Sequence, residues 1–143
     1  FDISGNDFTS TIAKGLDISF TEAEKLKKQY GIKGLNDTVG GNGQTIREIL
    51  LPLIDVVLRE IKEILDNFYQ QEKREVEKII IAGSTALLPG LKEYFKESLD
   101  NREVKIGNPF SNIFYPPILE KTLTEMGPSF AIAMGSALRG LEH

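Results

Sequence analysis

The run Lys78-Ile79-Ile80-Ile81-Ala82-Gly83-Ser84-Thr85-Ala86-Leu87-Leu88-Pro89-Gly90-Leu91 constrains the fold of this chain more than any other stretch. An isoleucine-rich strand over 78–82 stops at a Gly-Ser-Thr turn, and a helix is predicted from about Pro89 to Leu99. β-branched residues suit a pleated strand. Proline suits a first helical position, where its missing N–H would have been unpaired anyway. A strand feeding a helix in this way is the building unit of α/β folds. It also brings bare backbone to the carboxyl end of a strand and to a helix N-terminus, where open α/β sheets bind ligands, anions in particular.

The remaining elements fit around that unit. Phe1 to Ser4 reads as the end of a strand, Gly5-Asn6-Asp7 as a turn, and Phe8 to Ala13 as a short helix. Ser19 followed by Glu22 is a capping box, predicting a helix to Tyr30 that Gly31 closes at positive φ. Residues 32–44, with Gly34, Gly40, Gly41, Gly43, Asn36, Asp37 and Asn42, read as a mobile loop. They lack the Gly-Lys-Ser/Thr ending of a phosphate-cradling P-loop. A second capping box, Thr45 to Glu48, predicts the start of the longest helix. Its Ile46, Ile49, Leu50, Leu53, Val57, Ile61, Ile64, Leu65 and Phe68 form one apolar face for packing on a sheet. Pro52 inside it predicts a kink or a later start. Val104 to Ile106 reads as a strand leading to Asn108-Pro109-Phe110. Residues 107–126 read as a loop in which Pro116-Pro117 excludes regular structure. Gly127-Pro128 then starts a final helix, Ser129 to Leu138, whose Ala131, Ala133, Gly135 and Ala137 predict tight packing on a sheet.

Composition narrows the function. The 143 residues suit one globular domain or two small subdomains. A net charge of −4 gives no basic footprint for nucleic acid. The absence of cysteine removes disulfides, thiolate metal sites and cysteine nucleophiles. No apolar run approaches the ~20 residues of a membrane-spanning helix, and no signal peptide is recognisable. The only histidine is His143, in a Leu141-Glu142-His143 ending that reads as the remnant of a cloning site and tag. With Phe1 opening inside a strand, the sequence reads as an excised domain. No catalytic base, nucleophile or metal cluster assembles from the residues present.

Three features carry candidate chemistry. Gly83-Ser84-Thr85 offers backbone to a ligand because its side chains are small or absent; a plain strand-to-helix turn explains it equally well. Glu24 and Lys27 share a helix face and can reach a ribose or base edge together, although such pairs are usually surface ion pairs. Gly127-Pro128-Ser129-Phe130 is a helix start able to cover the other side of a base, or simply to cap and pack.

In this order and at these separations, the three features resemble one family. Ala82 to Leu91, Val104 to Phe110 and Gly127 to Gly140 look like the C-terminal half of the PilM family of type IV pilus assembly proteins. These are relatives of the division protein FtsA in the actin-like ATPase superfamily. Ser4 to Thr9, Ile12-Ala13 and Ala23-Glu24-Lys25-Leu26-Lys27 match as well. The Asn-Pro-Phe element and the Ala137-Leu138-Arg139-Gly140 ending favour PilM over FtsA.

The resemblance implies an α/β fold, the second lobe of an actin-like (ribonuclease H-like) ATPase. Residues 1–4 and 46–140 would form its core subdomain, and 5–45 a small inserted one. It implies ATP or ADP with Mg²⁺ as the ligand. Gly83, Ser84 and Thr85 would lie along the adenosine and α-phosphate, Leu87 and Leu88 would flank the base, and Glu24 with Lys27 would close over ribose and adenine. The family pattern has a second glycine where this chain has Ser84, so a Cβ there is expected to crowd the phosphate or to meet a positive φ. The first lobe and the phosphate hairpins fall outside this sequence. The implied behaviour is therefore weak or absent nucleotide binding and no hydrolysis by this chain alone. The implied place is cytoplasmic, peripheral to the inner membrane through partners, with a PilN-like peptide docking on the first lobe. An actin-like interaction module without nucleotide, and an FtsA-like division protein, are the competing readings.

Overall fold

The computed structural model describes residues 3–33, 41–100 and 102–140. Most of the predicted loop over 32–44 lies outside these, as do Phe1, Asp2 and the last three residues. Ile3 and Ser4 form no strand, and Ser4 instead caps α1, Gly5–Leu16. Its N–H and its hydroxyl both donate to the Asp7 carboxylate at 2.7 Å. Gly5-Asn6-Asp7 is thus the first turn of a helix longer than the predicted 8–13. The second helix, α2, Phe20–Tyr30, begins as expected. The Glu22 N–H donates to the Ser19 hydroxyl, and Ser19 N–H and O–H donate to the Glu22 carboxylate.

The longest helix, α3, runs from Gly41 to Glu72, 32 residues in all. Thr45 therefore stands inside it rather than at its start. Gln44 donates to Glu48 one turn on, reinforcing the glycine-rich first turns. The helix continues through Pro52. That proline and Glu48, whose carbonyl loses its amide partner, are both solvent-exposed, so water can take over the missing bond. The buried spine is Ile46, Leu50, Ile54 and Leu58. Ile54 and Leu58 extend the predicted apolar face, while Ile64 and Phe68 at its far end are exposed. α3 meets α1 and α2, and the half-buried Ile79 and Ile81 pack on the same core.

Strand β1, Lys78–Ile81, pairs in parallel with β2, Glu103–Ile106, with Ile79 opposite Val104. The crossover between them contains a 3₁₀ turn, Ser84–Leu87, and α4, Leu91–Ser98. The helix starts later than Pro89 because Gly90, at φ +86°, stands as its N-cap. The backbone of 31–33 crosses here. Ile32 N–H donates to Pro89 O at 2.8 Å, and a Cβ on Gly31 (φ +54°) would fall 2.3 Å from that oxygen. The end of α2 is thereby fixed to the start of α4, main chain to main chain.

The C-terminal part departs most from expectation. Pro117 opens a 3₁₀ turn, Pro117–Leu119, and α5, Glu120–Met126, follows where a loop was predicted. Proline breaks a helix interior but not its first turn. A second 3₁₀ turn, Gly127–Phe130, leads into α6, Ala131–Gly140. The tight packing expected from its small residues is not seen among the described residues. None of the helix is buried, Ile132 is 84% exposed, and a Cβ on Gly135 would meet nothing within 4 Å.

Candidate functional site

The site is built where β1 ends. Gly83 adopts φ +90°, and a Cβ there would meet nothing within 4 Å. Backbone conformation, not lack of room, is what calls for glycine. Ser84 has no positive φ, so the turn visits the left-handed region once, at Gly83. The strain foreseen for a side chain at 84 does not arise. Two ties hold the turn. Gly83 N–H donates to Pro128 O at 2.7 Å, and Gly5, in the first turn of α1, approaches so closely that a Cβ would lie 3.0 Å from Thr85 Oγ1.

From α2, Glu24 and Lys27 face the same space. Lys27 is buried. Its ammonium donates to Gly5 O at 2.9 Å, to Thr9 Oγ1 at 2.8 Å and to Glu24 Oε2 at 2.6 Å. Three protons meet three acceptors. The other Glu24 oxygen lies 3.3 Å from Lys28 Nζ, whose side chain is 74% exposed. Burial pushes the Glu24 carboxyl up, but hydrogen bonds from Lys27 and Thr9 and the charge of Lys27 outweigh it and hold the group below its ordinary 4.5.

The opposite wall comes from α5 and the turn after it. Glu125, Met126 and Ser129 close the cleft, and Gly127 and Pro128 are buried behind them. Asn108-Pro109-Phe110 supports this wall. A Cβ on Gly127 would stand 3.4–3.5 Å from all three residues, and the rings of Phe110 and Phe130 lie 6.3 Å apart. Asn108 Oδ1 accepts from Phe110 N–H at 3.0 Å, which sets the bend.

These parts enclose a cleft of about 330 Å³. Ser84, Thr85, Leu87, Leu88, Glu24 and Lys27 all line it. Gly83 does not line it but sets the turn behind it. Sequence reasoning missed Lys28, Glu125, Met126 and Thr9. Lys28 was findable, one helical turn from Glu24. Glu125 and Met126 were hidden by the loop reading of 107–126, and Thr9 is a polar residue inside the apolar Phe8–Ile12 stripe. Among the described residues no group of three or more acidic, histidine or cysteine side chains is arranged to hold a metal ion. No described helix is long and apolar enough to cross a membrane.

Comparison with known proteins gives a family match and matches among solved structures. A family model described as type IV pilus assembly protein PilM matches residues 2–141. A chain in a solved PilM-PilN type IV pilus biogenesis complex is 30% identical, with a TM-score of 0.71. That match covers 98% of this chain and 38% of the solved one. The present chain thus spans well under half the length of that relative. No curated protein matches it significantly.

Proposed function

The chain belongs to the PilM family of type IV pilus assembly proteins, and from that premise we propose that it is the adenosine-holding lobe of an actin-like protein that scaffolds pilus assembly at the inner membrane. One observation carries the reading: residues from three separated segments, 24–28, 84–88 and 125–129, wall a single cleft. Its chemistry suits a nucleoside. Leu87, Leu88 and Met126 offer an apolar slot to a flat base, with a few polar groups to fix its orientation. The Glu24 carboxylate is an acceptor for ribose hydroxyls. The Ser84 and Thr85 hydroxyls and the exposed Lys28 ammonium are donors for a phosphate.

The proposed ligand is ATP or ADP with Mg²⁺, the ion being carried mainly by phosphate oxygens and water. The Mg²⁺ would neutralise phosphate charge. The residues of this chain bind and orient the adenosine end: Gly83, Ser84 and Thr85 along the adenosine and α-phosphate, Leu87 and Leu88 at the base, and Glu24 at the ribose, with Lys27 holding Glu24. A PilN-like peptide is the proposed partner, docking on a part of the full-length protein outside these residues, in the cytoplasm beside the membrane.

Calorimetry with ATP–Mg²⁺ tests the reading. The full-length protein is expected to bind, and this chain alone to bind at least about tenfold more weakly, for want of the opposing lobe. Leu87→Arg, which fills the slot from a half-exposed position, should abolish binding in the full-length protein. Sub-micromolar affinity from this chain alone, or an unaltered L87R, would sink the proposal. A gain beyond about tenfold from Ser84→Gly would instead support an interaction module whose serine excludes nucleotide.

A further inference from the structure

We propose that Thr9 is a positioning residue of this cleft, holding Glu24 so that one of its two carboxylate oxygens alone is presented to the ligand. The inference rests on the nucleotide reading above for what that oxygen meets. Thr9 and Lys27 are the buried polar residues among the described residues, and they come from different helices, α1 and α2. Burying an ammonium is costly unless its protons find acceptors, and Thr9 Oγ1 supplies one of the three.

The direction of each bond follows by counting protons. The Thr9 hydroxyl has one proton and two acceptors in reach, Glu24 Oε2 and, at 3.1 Å, Gly5 O. A carboxylate is the stronger acceptor, and Gly5 O already receives Lys27. The proton therefore goes to Glu24. Oε2 then accepts from both Lys27 and Thr9, which occupies it fully. Oε1, beside the exposed Lys28, is the oxygen left for a ligand hydroxyl. Lys27 has no proton to spare, so its contribution to binding passes through Glu24. Valine at position 9 would match threonine in shape but leave a buried ammonium proton unmet and take from Oε2 one of its two donors, leaving the carboxylate held by the lysines alone.

The test uses the full-length protein, ATP–Mg²⁺ as the probe, and carboxyl NMR titration of Glu24 as a readout that needs no ligand. Thr9→Val should weaken ATP binding about tenfold, the usual scale for a hydrogen bond to a charged group. It should also raise the Glu24 midpoint towards 4.5. Thr9→Ser should keep both, and T9V should add no further loss on top of E24Q. Wild-type affinity in T9V, equal weakness in T9S, or additive losses in the double variant would overturn the proposal. If the wild type binds no ATP, the nucleotide reading falls by itself. A midpoint that rises in T9V but not in T9S still supports the holding role, and an unmoved midpoint overturns it. Should T9V fail to fold, T9V/K27M and T9S/K27M replace the buried ammonium with an apolar stem and carry the same comparison.

Discussion

The two walls of the cleft are packed in opposite ways. The α1–α2 wall is finished: Ile12, Ala23, Ile46 and Leu50 are fully buried around it, and its buried ammonium is saturated. The α5–α6 side is open. Ile118 and Ile132 stand out, Phe114 is fully exposed, and an apolar groove walled by Val57, Ile61, Ile80 and Ile132 runs beside β1. It is held to the rest by few contacts, notably Gly83 N–H to Pro128 O and the Asn108–Phe110 support. One wall can therefore act as a fixed reference, and the other is positioned by the turn it hangs from.

Stability measurements can break that comparison. The largest contrast is between two truncations followed by urea unfolding. Leu50→Ala should cost about 2–5 kcal/mol, the usual range for emptying a buried leucine site. Ile132→Ala should stay within about 0.5 kcal/mol, as for other surface positions. Similar losses at both positions would show that the two sides are not packed differently.

Two glycines give the next largest effect. Gly31→Ala meets both a positive φ and Pro89 O, and should cost about 1–3 kcal/mol. Gly135→Ala lies in an open helix and should gain about 0.5–1 kcal/mol. A neutral G31A would mean that the crossing of 31–33 over 89–90 is looser than its geometry.

Acid sharpens the contrast at the smallest scale. The folded Glu24 midpoint lies below the ordinary 4.5, so its contribution is complete above that pH and is lost as pH falls through the lower folded value. Between pH 6 and pH 3, E24Q should therefore lose less stability than the wild type. Glu103 is lowered too, chiefly by its hydrogen bond with Lys105 on an exposed strand, and E103Q should leave the pH profile nearly unchanged because solvent screens such pairs. An E24Q profile that superimposes on the wild type would remove Glu24 from the finished wall.

Local signals made part of this legible in the sequence. Ser19 with Glu22, the isoleucines of β1 and Gly31 each declare their conformation within a few residues, and the structure follows them. Pro116-Pro117 misled because proline has opposite meanings inside a helix and at its start. Gly41 and Gly43 misled because composition speaks for a loop, whereas α3 recruits them as its first turn. The small residues of α6 predict close packing only if a neighbour is there to approach. Lys27 was the hardest case. A Glu and a Lys three apart on a helix usually face water, and what takes this lysine out of water is Thr9 and Gly5, brought in from another helix.

The crossing of Gly31 and Gly90 has a consequence for how the cleft can vary. Its gauge is set by peptide groups, which every sequence shares, and not by the side chains that line the opening. Substitutions at Leu87, Met126 or Ser129 can retune which molecule is welcome without moving the frame, whereas any side chain at 31 pries the frame itself apart.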